Sequence, residues 1–125
     1  MKLMAFNGSP RKGWNTAALL EKTVEGATAQ GARAELIHLY DYSFQGCISC
    51  FSCKLLNGAS YGNCALDDQI TPILNRAKDT DALVLGSPVY FGAESGQMRI
   101  FMERLWFPYL VYSDEHPTVF PRKIK

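Results

Sequence analysis

The sequence predicts a doubly wound α/β domain, a parallel sheet with right-handed crossovers and helices on both faces. Three observations carry that prediction. Short apolar runs at residues 3–6 and 81–86 and the segment RAELIHL at 33–39 read as strands, and three segments with apolar positions recurring at threes and fours read as helices between and after them. Strand and helix alternate, with no internal repeat, low-complexity tract or linker. A length of 125 residues leaves room for one domain, residues 1–125, and no more.

The elements follow in order. Leu3, Met4, Ala5 and Phe6 form a buried first strand. Residues 16–30 form a helix with Ala17, Leu20, Val24 and Ala27 on one face, and Gly31 ends it just past the C-cap. Residues 33–39 form the second strand, with His38 half-buried on it. Over residues 41–66 no period holds, and this loop carries every cysteine; irregular segments of such length are functional or disordered. Ile70, Ile73, Leu74 and Ala77 mark a second helix, starting either at Asp67 as N-cap or at Thr71 with Pro72 in the first helical position. Residues 81–86 are continuously apolar, as in a strand covered on both faces. Ser95 caps a third helix with Met98, Phe101, Met102 and Leu105 inward, closed by Pro108. On that helix Arg99 and Arg104 face solvent, a cofactor phosphate or a partner subunit, with a solvated face expected for at least one; Glu103 and Arg104 read as ordinary surface decoration. His116 falls in an exposed turn. The apolar run 105–112 is too apolar to stay wet and too short to span a membrane. It is either core cover or, as preferred here, a subunit contact that also walls a ligand crevice.

Composition narrows the function classes. The 47% hydrophobic and 20% charged fractions are those of an ordinary globular domain. A net charge of +1 gives no electrostatic footprint for nucleic acid or an acidic membrane. No signal peptide or membrane-spanning run is present, so a cytoplasmic location is expected. The four cysteines would be reduced there, which favours metal or redox chemistry over disulfides.

The segment 8–16, GSPRKGWNT, lies between the first strand and the first helix. A strand that stops at such a loop and restarts as a helix aims unpaired backbone N–H groups at one point, at the positive end of the helix. Ser9, Asn15 and Thr16 add side-chain partners and Arg11 adds charge, which suits a phosphate. Neither the nucleoside-triphosphate pattern GxxxxGK[ST] nor the dinucleotide pattern GxGxxG is present, so a single terminal phosphate is indicated. In a doubly wound sheet ligands bind beyond the carboxyl ends of the strands, where the strand order reverses. The loop after the third strand, Ser87, Pro88, Val89, Tyr90, Phe91 and Gly92, flanks that point and carries aromatic rings. A phosphate loop facing a glycine-bounded aromatic loop describes a mononucleotide with a flat ring, and FMN fits.

The cysteine spacing, Cys47-x2-Cys50-x2-Cys53 with Cys64 further on, leaves three alternatives open: a 4Fe–4S cluster, a structural zinc on four thiolates, or plain thiols. The ten residues between Cys53 and Cys64 make a long final spacing, although a longer loop adds little closure entropy.

With GSPRKGWNT, GCISCFSC followed by GNC, GSPVYFG and SGQMRIFMER in this order, the chain resembles the flavodoxin-like NAD(P)H-dependent FMN reductases, and among them the iron–sulfur flavoproteins. The resemblance implies a flavodoxin-like parallel sheet of order 2-1-3, with a fourth strand beginning at residues 122–125. It implies an FMN phosphate held by Ser9, Arg11, Asn15 and Thr16, and an isoalloxazine lined by Pro88, Val89, Tyr90, Phe91 and Gly92, with Ser95 close to the same edge. It also implies NAD(P)H as co-substrate, a 4Fe–4S cluster on Cys47, Cys50, Cys53 and Cys64, a small-molecule or protein electron acceptor, and a homo-oligomer. Flavin accepts hydride directly from nicotinamide, so the absence of any protein nucleophile or acid–base pair motif is expected. A flavodoxin-like electron carrier that does not oxidise nicotinamide is the alternative, and a metal- or redox-sensing module a third. Against a five-stranded family sheet, three complete strands read as a truncated version or as a partner for another copy.

Overall fold

The computed structural model describes residues 1–110. Its central strand β1 (Lys2–Asn7) pairs in parallel with β2 (Arg33–His38) on one side and β3 (Ala82–Gly86) on the other, giving the order β2-β1-β3. Helix α1 (Asn15–Ala29) links β1 to β2, and α2 (Thr71–Lys78) lies between the cysteine loop and β3. After β3 come a short antiparallel hairpin, β4 (Val89–Tyr90) and β5 (Ala93–Glu94), and the helix α3 (Gly96–Trp106). The start of a fourth strand at residues 122–125, His116, and residues 111–112 of the apolar run lie outside the described residues.

Alternation along β1 builds the layers. Leu3 and Ala5 pack with Leu20 of α1 on one face. Met4 and Phe6 point the other way, into a larger cluster with Ile73 and Leu74 of α2 and Met98, Phe101 and Leu105 of α3. Side chains two apart on a strand share a face, so this pattern forces helices onto both sides of the sheet. Phe6 and Phe101 are fully buried with ring centroids 4.5 Å apart, and burying each such ring stabilises by about 1.5–3 kcal/mol.

The helix ends follow their chemistry. Gly31, at φ +80°, lets Gly31 N–H reach Thr28 O and Ala32 N–H reach Ala27 O, the paired bonds of a Schellman motif. α2 starts at Thr71, not Asp67, with Pro72 in its first turn. The cap before it is built by Asp68, whose Oδ1 accepts from Ile70 N–H while its own N–H donates to Thr71 Oγ1. Ser95 caps α3 by accepting from Met98 N–H, and Pro108 sits in the 3-10 turn that follows. β3 packs on both faces, Leu83 and Leu85 against the larger cluster and Ala82 and Val84 against the smaller, and is only half-buried because among the described residues it pairs on one side alone, with β1. One expectation needs correction. The loop 87–92 is half of a hairpin rather than an open loop.

Candidate functional site

β1 and β3 are adjacent and parallel, so the loops leaving their carboxyl ends emerge side by side. Gly8 N–H donates to Gly86 O at 2.7 Å, and Ser95 Oγ donates to Gly8 O at 2.6 Å. Ser95 N–H in turn donates to Ser87 Oγ at 2.9 Å. The loop after β1, the end of β3 and the start of α3 are therefore locked together. A Cβ on Gly8 would sit 2.8 Å from Met98 Cβ and 3.0 Å from Ser95 Oγ, so only glycine permits this approach. Ser95 is fully buried with its hydroxyl committed on both sides, which makes it a strut beneath the site.

Within the loop 8–16, Ser9 is buried and accepts from Arg11 N–H at 3.1 Å. Asn7, which the sequence reading passed over, fixes the loop's start. It is fully buried, accepts from Ser9 N–H at 2.8 Å and lies 3.0 Å from His38 Nδ1. A polar residue ending an apolar strand was the available signal. Arg11 lies over the Trp14 ring at 4.6 Å, and Lys12 pairs with Asp41. Trp14 stands at the N-cap of α1 without a side-chain acceptor, and the first turn holds no acidic residue. The first amides of α1 are thus left without a side-chain cap, with Asn15 exposed and Thr16 half-buried beside them. Uncapped amides, Arg11 in the same loop and no carboxylate in the turn fit a phosphate.

The hairpin supplies the second part. Phe91 and Gly92 both have positive φ, +51° and +79°, as a two-residue type I′ turn requires. Phenylalanine is strained there, and its ring is wholly solvent-exposed. Val89 and Tyr90 beside it are exposed, and Pro88 is half-buried. An apolar rim held in a strained turn next to the phosphate loop suits a flat ring.

All four cysteines line one pocket, together with Ile48, Phe51, Leu66, Arg104 and Phe107. Ser49 and Phe51 take left-handed backbone, at φ +54° and +56°, on either side of Cys50. The ten residues after Cys53 fold into successive turns, closed by Gly62 N–H donating to Cys53 O at 2.9 Å, so the long spacing brings Cys64 back beside the others. Hydrogen bonds from Ser52 hold the exposed Cys50 thiol below its ordinary range, whereas burial pushes Cys53 up. Among the described residues, no three cysteine, histidine or acidic side chains converge on a single-ion site.

Arg104 corrects the expectation of surface decoration. Its side chain is fully buried against this pocket, donating from Nε to Cys64 Sγ at 3.3 Å and pairing with Asp68. Arg99 does lie on the solvated face, between Glu94 and Glu103. Residues 105–110 of the apolar run cover the cysteine loop: Phe107 and Pro108 line its pocket, and Lys54 Nζ donates to the carbonyls of Phe107 and Leu110.

A family model described as NADPH-dependent FMN reductase matches residues 1–120. An iron–sulfur flavoprotein of Methanocaldococcus jannaschii is 36% identical over 104 residues, covering 83% of this chain and 51% of the relative. One from Archaeoglobus fulgidus is 39% identical over 104 residues, covering 83% and 48%. A third, from Methanosarcina thermophila, is 25% identical, covering 83% and 52%. The chain spans about half the length of these curated relatives.

Proposed function

The chain belongs to the NADPH-dependent FMN reductase family, with its flavodoxin-like sheet, and from that premise we propose that it binds FMN and transfers electrons from NAD(P)H to an acceptor. The observation that carries the proposal is the fastening of the uncapped α1 loop to the hairpin side through Gly8, Gly86 and Ser95. That fastening supports a reading in which an anion site and an apolar rim share one crevice.

In this reading Ser9, Arg11, Asn15 and Thr16 hold the phosphate. Pro88, Val89, Tyr90, Phe91 and Gly92 line the ring, and Ser95 keeps the two parts in register. Bound FMN would accept hydride from nicotinamide, and a 4Fe–4S cluster on Cys47, Cys50, Cys53 and Cys64 would pass single electrons onward. The protein's own work is to orient the ring, donate hydrogen bonds and exclude water. All four thiols line one pocket, and Cys47-x2-Cys50-x2-Cys53 is a spacing by which thiolates can wrap an iron–sulfur cluster, which supports the cluster reading. The acceptor is a small molecule or a protein.

The test is direct. Purified protein should be yellow or turn yellow with added FMN. Arg11→Ala should weaken retention roughly tenfold or more, since a hydrogen bond to a charged group contributes about 1.5–3 kcal/mol. Protein that stays colourless with FMN refutes the proposal. Stopped-flow bleaching by NADPH separates a reductase from an electron carrier that holds FMN but does not oxidise nicotinamide.

A further inference from the structure

We infer that Arg104 is a positioning residue for the redox centre of the cysteine pocket, orienting Cys64 as a ligand and making the centre easier to reduce. The inference rests on the cluster reading above.

Arg104 is the least expected group in the interior. Its guanidinium is fully buried, a placement whose desolvation penalty often exceeds the gain from its ion pair. Stability alone therefore gives a weak reason for it. The hydrogen bonds say what it does. One terminal nitrogen pairs with Asp68 and donates to Gln45 O at 3.1 Å. The other donates to Leu66 O and to Thr71 Oγ1, both at 3.3 Å. These partners come from both ends of the cysteine loop and from α2, and together they fix the guanidinium plane. With the plane fixed, the single Nε–H is aimed at Cys64 Sγ, 3.3 Å away.

Metal-bound sulfur that accepts an N–H has electron density drawn off it, and such bonds raise the reduction potential of iron–sulfur centres. In one-electron reduction by reduced flavin, one electron would pass from the flavin to the centre. The centre gains one negative charge and no bond to the protein breaks. A cation touching a ligand sulfur stabilises that extra charge. Asp68 pairs with Arg104 as its counter-charge, so its carboxylate tempers the effect.

Anaerobic protein reconstituted with ferrous iron and sulfide provides the test, with iron and sulfide assayed first. Midpoint potentials then come from mediated dithionite titration followed by visible absorbance and electron paramagnetic resonance. Arg104→Gln, which removes the charge, should shift the potential to lower values. Arg104→Lys should recover part of the shift. Asp68→Asn should move it upward, because Arg104 loses its counter-charge but keeps its other partners. The opposite signs also decide the matter if Arg104→Gln fails to fold or to hold iron. Potentials unchanged in iron-loaded Arg104 variants, or a downward shift in Asp68→Asn, would overturn the inference while leaving the cluster intact. Wild-type protein that takes up no iron and sulfide overturns the cluster reading itself, and this inference with it.

Discussion

At the scale of single residues, small groups at Gly8 and Ser95 decide whether the two halves of the candidate ligand crevice meet. Gly8 is required by proximity: a methyl group would press on Met98 Cβ at 2.8 Å, and both atoms belong to packed backbone segments with little room to yield. Gly8→Ala should destabilise by about 1–3 kcal/mol, the ordinary cost of overpacking, and should also impair FMN retention. Urea unfolding and flavin titration measure the two effects, and normal stability with normal retention would refute the close packing. Ser95 was legible as a helix cap because a serine before an apolar-periodic run has that meaning wherever it occurs. Its second bond, to Gly8 O, was not legible, since it spans 87 positions and depends on tertiary approach. Arg104 was misread for a related reason. A basic residue near a helix end normally faces water, and only folding brings it the Cys64 sulfur, the loop carbonyls and the Asp68 carboxylate that accompany its burial.

Among the elements, the periodic ones were legible and the short strained ones were not. α1, α2, α3 and the three sheet strands each present several apolar residues at the right period, so local pattern and packing agree. The hairpin of β4 and β5 has two residues per strand and a Phe-Gly turn in place of the Asn-Gly that usually announces a type I′ turn. Nothing local favours it. Phenylalanine in the left-handed region costs about 1–2 kcal/mol, and its exposed ring recovers none of that by packing within the described residues. A cost retained at the rim of a candidate ligand crevice points to use there. Phe91→Asn should therefore raise stability by about 1 kcal/mol, because asparagine tolerates that backbone. The same change should reduce FMN retention roughly fivefold, equivalent to about 1 kcal/mol of lost ring contact. Thermal unfolding and flavin titration should move in opposite directions; a variant that holds FMN as tightly as wild type would remove Phe91 from the ring site.

Across the whole molecule, β1 is the spine from which both candidate sites hang. Its carboxyl end delivers Gly8 to the crevice, while Met4 and Phe6 anchor the layer of α2 and α3 that carries the cysteine pocket. The cysteine loop packs Tyr42, Phe44 and Cys64 against that layer and is tied to it by polar groups as well. The polar tie is the cluster formed by Asp68, Arg104, Thr71, Gln45 and Leu66. Burial alone would push the Asp68 carboxyl up, but the hydrogen bond and charge of Arg104, with the N–H groups of Gln45 and Ile70, hold it below its ordinary range. A carboxylate whose pKa is lower folded than unfolded adds stability above its unfolded pKa, and that contribution is lost as pH falls through the folded value. Asp68→Asn keeps the shape and some of the hydrogen bonds but removes the charge. At neutral pH it should be less stable than wild type by about 2 kcal/mol, in the range for hydrogen bonds to charged groups. As pH falls below the carboxylate range, wild-type Asp68 takes up a proton, the advantage disappears and the two unfolding curves should merge. Other acidic groups titrate equally in both proteins, so the difference between them isolates this carboxyl. A gap that stays constant from neutral to acid pH would mean that the charge of Asp68 contributes nothing to holding the cysteine loop on the core.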